Sequence, residues 1–169
     1  ESISEIFKLI HSLIRSPHEY IREIIALCLI LSIESRTLFT SSIPSTSGSF
    51  DLFHIGHLNI LEKSALLGDE LIVGVSTDEL IQHYKGMLPI IPFEQRIRIV
   101  SSIKCVTKVV KQVKLTEIAQ LERENIDIVT IGDDWKDKYL EGLEWIKQQP
   151  GKRVVYFPYT PGVSTTGIK

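Results

Sequence analysis

From residue 48 onward the chain alternates between two hydrophobic periods. Leu58, Leu61, Ala65 and Leu66 recur at helical spacing, with Glu62 and Lys63 on the other side, and predict a helix that starts near Ile55. The run 71–75, Leu-Ile-Val-Gly-Val, is short and apolar throughout, as a strand buried in a parallel sheet is. Ser76-Thr77-Asp78 offers a cap for a second helix, residues 83–89 read as a mobile loop, and a third helix starts at Pro92 and runs to about Ile103. The remaining pattern predicts a strand at 107–110, a helix at 115–124, a strand at 126–131, a helix at 140–148, a strand at 153–157 and a last helix capped by Ser164. Such alternation implies right-handed crossovers and an α/β fold, a Rossmann-like doubly wound parallel sheet of five strands. Ligands bind in that architecture beyond the carboxyl ends of the strands.

The first part of the chain follows another pattern. Ile3, Ile6, Phe7, Ile10, Leu13 and Ile14 share one helical face, Pro17 interrupts it, and residues 18–34 are apolar nearly all round. A helical hairpin with a linker is expected over 1–42, followed by an α/β domain over 43–169. Residues 35–47 are rich in Ser and Thr, with Pro44 among them. Only 43–47 is available as the first strand, which is therefore expected to be weak or displaced.

Composition narrows the function classes. The 19 Lys and Arg nearly balance the 21 Asp and Glu, which gives no electrostatic case for nucleic acid. The apolar stretch 24–33 is too short for a bilayer, so no membrane span is expected. Glu1 and Glu5 stand where a secretory signal has a basic region. Cys28 and Cys105 are isolated in apolar surroundings and read as reduced core thiols of a cytoplasmic protein.

The chemistry concentrates in Gly48-Ser49-Phe50-Asp51-Leu52-Phe53-His54-Ile55-Gly56-His57. A small, polar turn gives way here to a helix whose first N–H groups and positive dipole end suit an anion. His54 and His57, one turn apart, face the same bound group, and Gly56 admits a large ligand close to the backbone. Two imidazole donors at a helix start suit a polyphosphate under attack at its α-phosphorus. A zinc pair is the weaker alternative, because no Cys or third His stands at ligand spacing, and no metal ligands are assigned. Gly132-Asp133-Asp134-Trp135 follows a strand, where two carboxylates and an indole suit a base, a ribose or a bound metal; an ordinary capped turn reads the same way. Around Gly162, the hydroxyls of Ser164, Thr165 and Thr166 open a helix and suit phosphates, or cap it. Lys85 and Arg96 are candidate cations for the reacting phosphates. His11, His18 and His83 read as surface residues, and Trp145 as core.

These segments resemble the signatures of the H-x-G-H nucleotidyltransferases, specifically the small cytidylyltransferases and among them the glycerol-3-phosphate cytidylyltransferases. The resemblance covers about residues 45–169. Gly-Asp-Asp-Trp is similar to the cytidine-binding run of that group, and 160–166 to its R-T-x-G-[IV]-S-T-T signature, with Tyr159 in place of the Arg. Ser49 stands where relatives usually have Thr. The resemblance implies CTP as substrate, Mg2+ as cofactor and a homodimer. Its acceptor is a phosphorylated small molecule, with sn-glycerol 3-phosphate the first choice and CDP-glycerol and pyrophosphate the products. It casts His54, His57, Lys85 and Arg96 as catalytic. Gly48, Ser49, Phe50, Asp51, Gly56, Gly132 to Trp135, Gly162 and Ser164 to Thr166 would bind the nucleotide. An adenylyltransferase of the same fold, forming an ADP-sugar or FAD, and a nucleotide-binding module without turnover remain as alternatives.

Overall fold

The computed structural model describes residues 41–168. The hairpin expected over 1–42 lies outside them but for its last two positions. Five strands make one sheet: β1 (Pro44–Gly48), β2 (Ile72–Ser76), β3 (Lys108–Gln112), β4 (Ile128–Gly132) and β5 (Arg153–Phe157). Their order is β3-β2-β1-β4-β5, and every pairing is parallel. The chain order reverses between β1 and β4, which is where a doubly wound sheet opens a crevice at its carboxyl edge.

The helices are α1 (Ile55–Ala65), α2 (Asp78–Lys85), α3 (Phe93–Ser101), α4 (Ile118–Arg123), α5 (Glu141–Lys147) and α6 (Thr165–Ile168), with a 3-10 turn at Asp133–Trp135. The sheet separates two apolar clusters. Phe50, Leu61, Val73, Val75 and Val100 fill one side, beneath α1 and α3; Ile72, Leu121, Val129, Leu143 and Ile146 fill the other, beneath α4 and α5. Period-two alternation along β2 sends Val73 and Val75 to one cluster and Ile72 to the other, so burial of all five β2 positions follows from coverage on both faces. Trp145 packs partly buried against the second cluster, as expected. Cys105 is a free, half-buried thiol beside the first.

The first strand departs from expectation. Although it reads Pro-Ser-Thr-Ser-Gly, β1 is the central strand, with Ser45 paired to Ile72 on one side and to Val129 on the other. The ladder uses only backbone groups, and side chains of neighbouring elements add to it, although the buried Thr46 hydroxyl has no hydrogen-bond partner. Thr130 donates its hydroxyl to the Ser45 carbonyl at 3.1 Å and meets the Ser64 hydroxyl of α1 at 2.7 Å, while the Gln112 amide donates to the Ser47 hydroxyl at 3.0 Å. Hydrogen bonds at Ser45 and Ser47 thus offset part of the cost of burying a polar strand.

Helix boundaries also sharpen. Thr77 caps α2 by accepting from the Leu80 N–H at 3.1 Å, as the sequence suggests. At the other end Gly86, at φ 73°, closes the helix in the left-handed conformation. Residues 83–85 are therefore the last turn of a helix, not part of a loop. Among the described residues no helix is long and apolar enough to cross a membrane.

α5 approaches the segment before α4 through Gly142. Thr116 there has φ 47°, an uncommon conformation for a β-branched residue, and its carbonyl oxygen lies 1.9 Å from the position a Cβ on Gly142 would take. Gly142→Ala is therefore expected to lower stability by about 1–3 kcal/mol, the usual cost of overpacking. Urea unfolding checks this; an unchanged midpoint would show that the two backbones separate freely.

Candidate active site

The two histidines of the H-x-G-H stretch cap their own helix reciprocally. His54 is the N-cap of α1, and its Nδ1 accepts the Gly56 N–H at 3.1 Å; His57 Nδ1 in turn accepts the His54 N–H at 3.3 Å. The N–H groups of His57 and Leu58 go to the His54 carbonyl. The first-turn N–H groups of Gly56, His57 and Leu58, expected to hold an anion directly, are therefore spent inside the helix start. What the turn presents instead is imidazole. With Nδ1 an acceptor on each ring, a neutral histidine carries its proton on Nε2, and both rings offer an Nε2–H donor. The rings stack at 3.9 Å between centroids. Gly56 has a different purpose from the one its position suggests: a Cβ there would lie 2.9 Å from His54 Cε1, so the glycine makes room for the capping imidazole.

Charge agrees with this geometry. Burial lowers the pKa of His54, and His57 is lowered from 6.5 to about 4, first by burial and then by the adjacent His54 and Lys85, with Asp51 opposing. Both rings are neutral donors at neutral pH. Thr165 Oγ1 donates to the Asp51 carbonyl at 3.1 Å and lies 3.5 Å from His54 Nε2, which brings the start of α6 against the histidines.

Beneath them lies a brace. The Arg96 side chain is fully buried. Its Nε donates to the Ile91 carbonyl at 2.8 Å, one terminal nitrogen to the carbonyls of Ser49 and Ser76, and the other to the Asp78 carboxylate. Arg96 therefore fastens the ends of β1 and β2 together below the site instead of reaching into it. Asp51, 3 % exposed, accepts the N–H groups of Ile90 and Ile91 at 2.9–3.1 Å. It holds the segment before α3 against the loop, where Phe50 and Leu52 both have positive φ, 50° and 46°.

A cavity of 780 Å³ opens over the carboxyl edge. Of the residues singled out from sequence, Gly48, Ser49, Phe50, His54, Gly56, His57, Lys85, Gly132, Asp134, Trp135, Ser164 and Thr165 line it. Arg96, Asp51, Asp133 and Gly162 do not; Thr166 lies within α6. The Lys85 ammonium donates to the Ser49 hydroxyl at 3.1 Å. Residues that the sequence did not single out as lining the cavity include Tyr84, Lys63, Lys138, Tyr139, Gln112 and Asn59. Tyr84 meets Trp135 edge-on at 6.4 Å, and burial raises its pKa against the opposing hydroxyls of Ser76 and Ser49. One signal for these residues was available: Tyr84 adjoins Lys85, and Lys138 follows Trp135 by three places.

Two outcomes test this geometry. Long-range 1H–15N spectra of the free protein at neutral pH should show both rings with bare Nδ1 and protonated Nε2, and His57 should keep that form well below its ordinary titration range; a His57 titrating near its ordinary value would overturn the assignment. Because the folded pKa of His57 lies below the unfolded one, its contribution to stability is complete above 6.5 and is lost as the pH falls toward about 4. For the brace, Arg96→Met strands the Asp78 carboxylate and several carbonyls, and should cost about 3–5 kcal/mol in chemical denaturation. A cost below about 1 kcal/mol would mean that the edge holds without it.

Residues 45–169 match the family model described as cytidylyltransferase-like. The chain is 40% identical over 126 residues to a glycerol-3-phosphate cytidylyltransferase of Bacillus spizizenii, covering 73% of this chain and 92% of that protein, and 39% identical to its namesake in Bacillus subtilis over equal shares. It is 33% identical to the bifunctional protein HldE of Helicobacter hepaticus over 98% of this chain but only 33% of that protein, so similarity extends into the N-terminal stretch as well. Among solved structures, the lipopolysaccharide core biosynthesis protein of Thermoplasma volcanium aligns with a TM-score of 0.57 and 26% identity, covering 71% of this chain and 97% of that one. The sheet order, the capped histidines at its carboxyl edge and these matches together make the chain a member of the cytidylyltransferase-like family of nucleotidyltransferases.

Proposed function

We propose that this protein transfers CMP from CTP to sn-glycerol 3-phosphate, giving CDP-glycerol and pyrophosphate. The observation that carries the substrate class is 40% identity to a glycerol-3-phosphate cytidylyltransferase across 92% of that enzyme's length. The geometry supports the chemistry. An acceptor phosphate oxygen forms a bond to the α-phosphorus in line, the bond from that phosphorus to the bridging oxygen breaks, and its electron pair leaves with pyrophosphate. The acceptor is already anionic, so no general base is needed and the protein's task is positioning and charge stabilisation.

In this reading His54 and His57 donate from Nε2 to the oxygens around the α-phosphorus. Being neutral, they act as fixed dipoles and keep their protons through the reaction. Lys85 meets the reacting phosphates. Ser164 and Thr165 hold the far end of the triphosphate, while Asp134 and Trp135 shape the nucleoside side of the cavity. Arg96 acts at one remove, as a positioning residue. A Mg2+ ion carried by the nucleotide belongs to the same reading, and Asp134 is the carboxylate among the cavity's lining residues that could meet it. Such an ion would offset charge on the leaving phosphates. A homodimer belongs to the same reading, supported by the exposed apolar side chains of Met87, Leu88 and Ile90; sedimentation at graded concentrations tests it.

Pyrophosphate release, with CTP and ATP crossed against a panel of phosphorylated acceptors, tests the reaction. Release with CTP and glycerol 3-phosphate is expected. Release with ATP alone would move the protein to the adenylyltransferases, and silence from a folded sample would make it a binding module. His57→Ala should lower kcat about 10²-fold or more, the usual cost of losing a transition-state donor. Near wild-type turnover would remove His57 from the mechanism.

A further inference from the structure

The cavity over the carboxyl edge is rich in donors and poor in groups that could accept a proton. Among the described residues its titratable side chains are His54, His57 and Lys63 of the α1 region, Tyr84 and Lys85 of α2, Asp134, Lys138 and Tyr139 after β4, and Tyr159 after β5. Ammonium groups have no lone pair to offer, and phenols are poor bases.

The histidines are closed as bases by their own hydrogen bonds. Nδ1 of His54 takes the Gly56 N–H, and Nδ1 of His57 takes the His54 N–H. The other nitrogen of each neutral ring, Nε2, holds the ring's proton. Thr165 gives independent support at His54. Its hydroxyl proton goes to the Asp51 carbonyl, so it presents only a lone pair to His54 Nε2, 3.5 Å away. The charged and titratable groups facing His57 are His54, Lys85 and Asp51, and the first two oppose its protonation. The Asp51 carboxylate is itself taken by the N–H groups of Ile90 and Ile91. Asp134 is then the one carboxylate of the cavity, and it stands beside Trp135 on the nucleoside side.

A phosphate monoester loses its second proton at about pH 6. As a dianion it forms the bond to the α-phosphorus through one oxygen and has no proton to dispose of. As a monoanion it would form the same bond and still carry a P–O–H, which turns strongly acidic in the product and must pass to a base. The breaking bond gives its electron pair to pyrophosphate on the opposite side of the α-phosphorus, out of direct reach of that proton. On the acceptor's side the cavity has no group to take it, whereas the ammonium groups of Lys63, Lys85 and Lys138 favour the dianion.

We infer that the site takes its acceptor only as the phosphate dianion, so that the loss of activity on acidification belongs to the substrate's second ionisation and to neither histidine. This inference rests on the nucleotidyl-transfer reading of the site.

The test is the pH profile of kcat/KM for the acceptor on the full chain, at saturating CTP and Mg2+, from about pH 5 to about pH 8. Two acceptors are compared, sn-glycerol 3-phosphate and its isosteric phosphonate. A methylene in place of the ester oxygen raises the second ionisation, by an amount that 31P titration of the free ligands measures. The acid limb for glycerol phosphate should fall at that ligand's own second pKa, and the phosphonate limb should lie higher by the measured difference. A limb at one pH for both acceptors overturns the inference, because it then belongs to the complex of enzyme and CTP. A rate that does not fall through this range overturns it as well, because the monoanion is then accepted. Binding gives a second readout that needs no turnover. With a CTP analogue bridged by methylene between the α- and β-phosphorus, bound glycerol phosphate should keep the 31P shift of the dianion below its free second pKa. A bound ligand that takes up its proton at or above the free value overturns the inference. Failure of the transfer reading itself shows separately, as no pyrophosphate from wild type with CTP and any acceptor of the panel.

Discussion

The carboxyl edge of the sheet depends on one buried guanidinium. Arg96 bonds the carbonyl just after β1, the carbonyl that ends β2, the carboxylate that begins α2 and the carbonyl of Ile91. A buried charge left with unfilled donors costs several kcal/mol, so this arrangement is stable only when the separate segments are all in place. That makes the edge cooperative. Ile91 also gives its N–H to Asp51, and Asp51 sits between two residues held at positive φ. The strain in the turn before His54 is thus maintained by contacts from two other segments, as strained loops at functional sites require.

From the brace the histidines acquire their state. Once the turn is fixed, His54 becomes the cap of α1 and His57 returns the bond, and each ring loses the acceptor capacity of Nδ1. Protonating either ring would break a capping bond, and protonating both would set two charges within stacking distance. Neutrality and tautomer are therefore consequences of local backbone geometry as much as of burial. The helix start retains its affinity for anions, expressed through Nε2–H instead of through backbone N–H.

Much of this was legible before any coordinates. The β2 run, the alternation after it, the cap at Thr77 and the placing of the histidines at a helix start all follow from local pattern, and local pattern is what a sequence displays directly. Three features were not legible. β1 reads as weak because hydrophobicity marks a buried strand, whereas this one is bonded by the side chains of Thr130 and Gln112, 85 and 65 positions from their partners Ser45 and Ser47. Arg96 was recognised by type, but its partners Ser49 and Ser76 lie 47 and 20 residues off, and nothing in spacing separates a buried brace from a phosphate ligand. Tyr84 and Lys138 gave no periodic signal because the turn at Asp133–Trp135 and the C-terminal end of α2 meet only in the folded sheet.

The cavity then divides its polar groups by mobility. The imidazoles are locked by backbone bonds, while the charged groups are lysines on long stems, Lys138 resting on an indole face and Lys85 on a serine hydroxyl. Tyr159, half exposed at the rim, supplies no cation where the family signature carries an arginine. On the proposed reading the division suits the reaction. The α-phosphorus must be held at fixed distance and angle for in-line attack, a task for neutral donors that cannot rotate away. Charge, by contrast, migrates from the acceptor toward the departing pyrophosphate, and flexible ammonium groups follow it at little cost. An arginine fork would hold one phosphate in one geometry, whereas lysines can follow the charge as it moves.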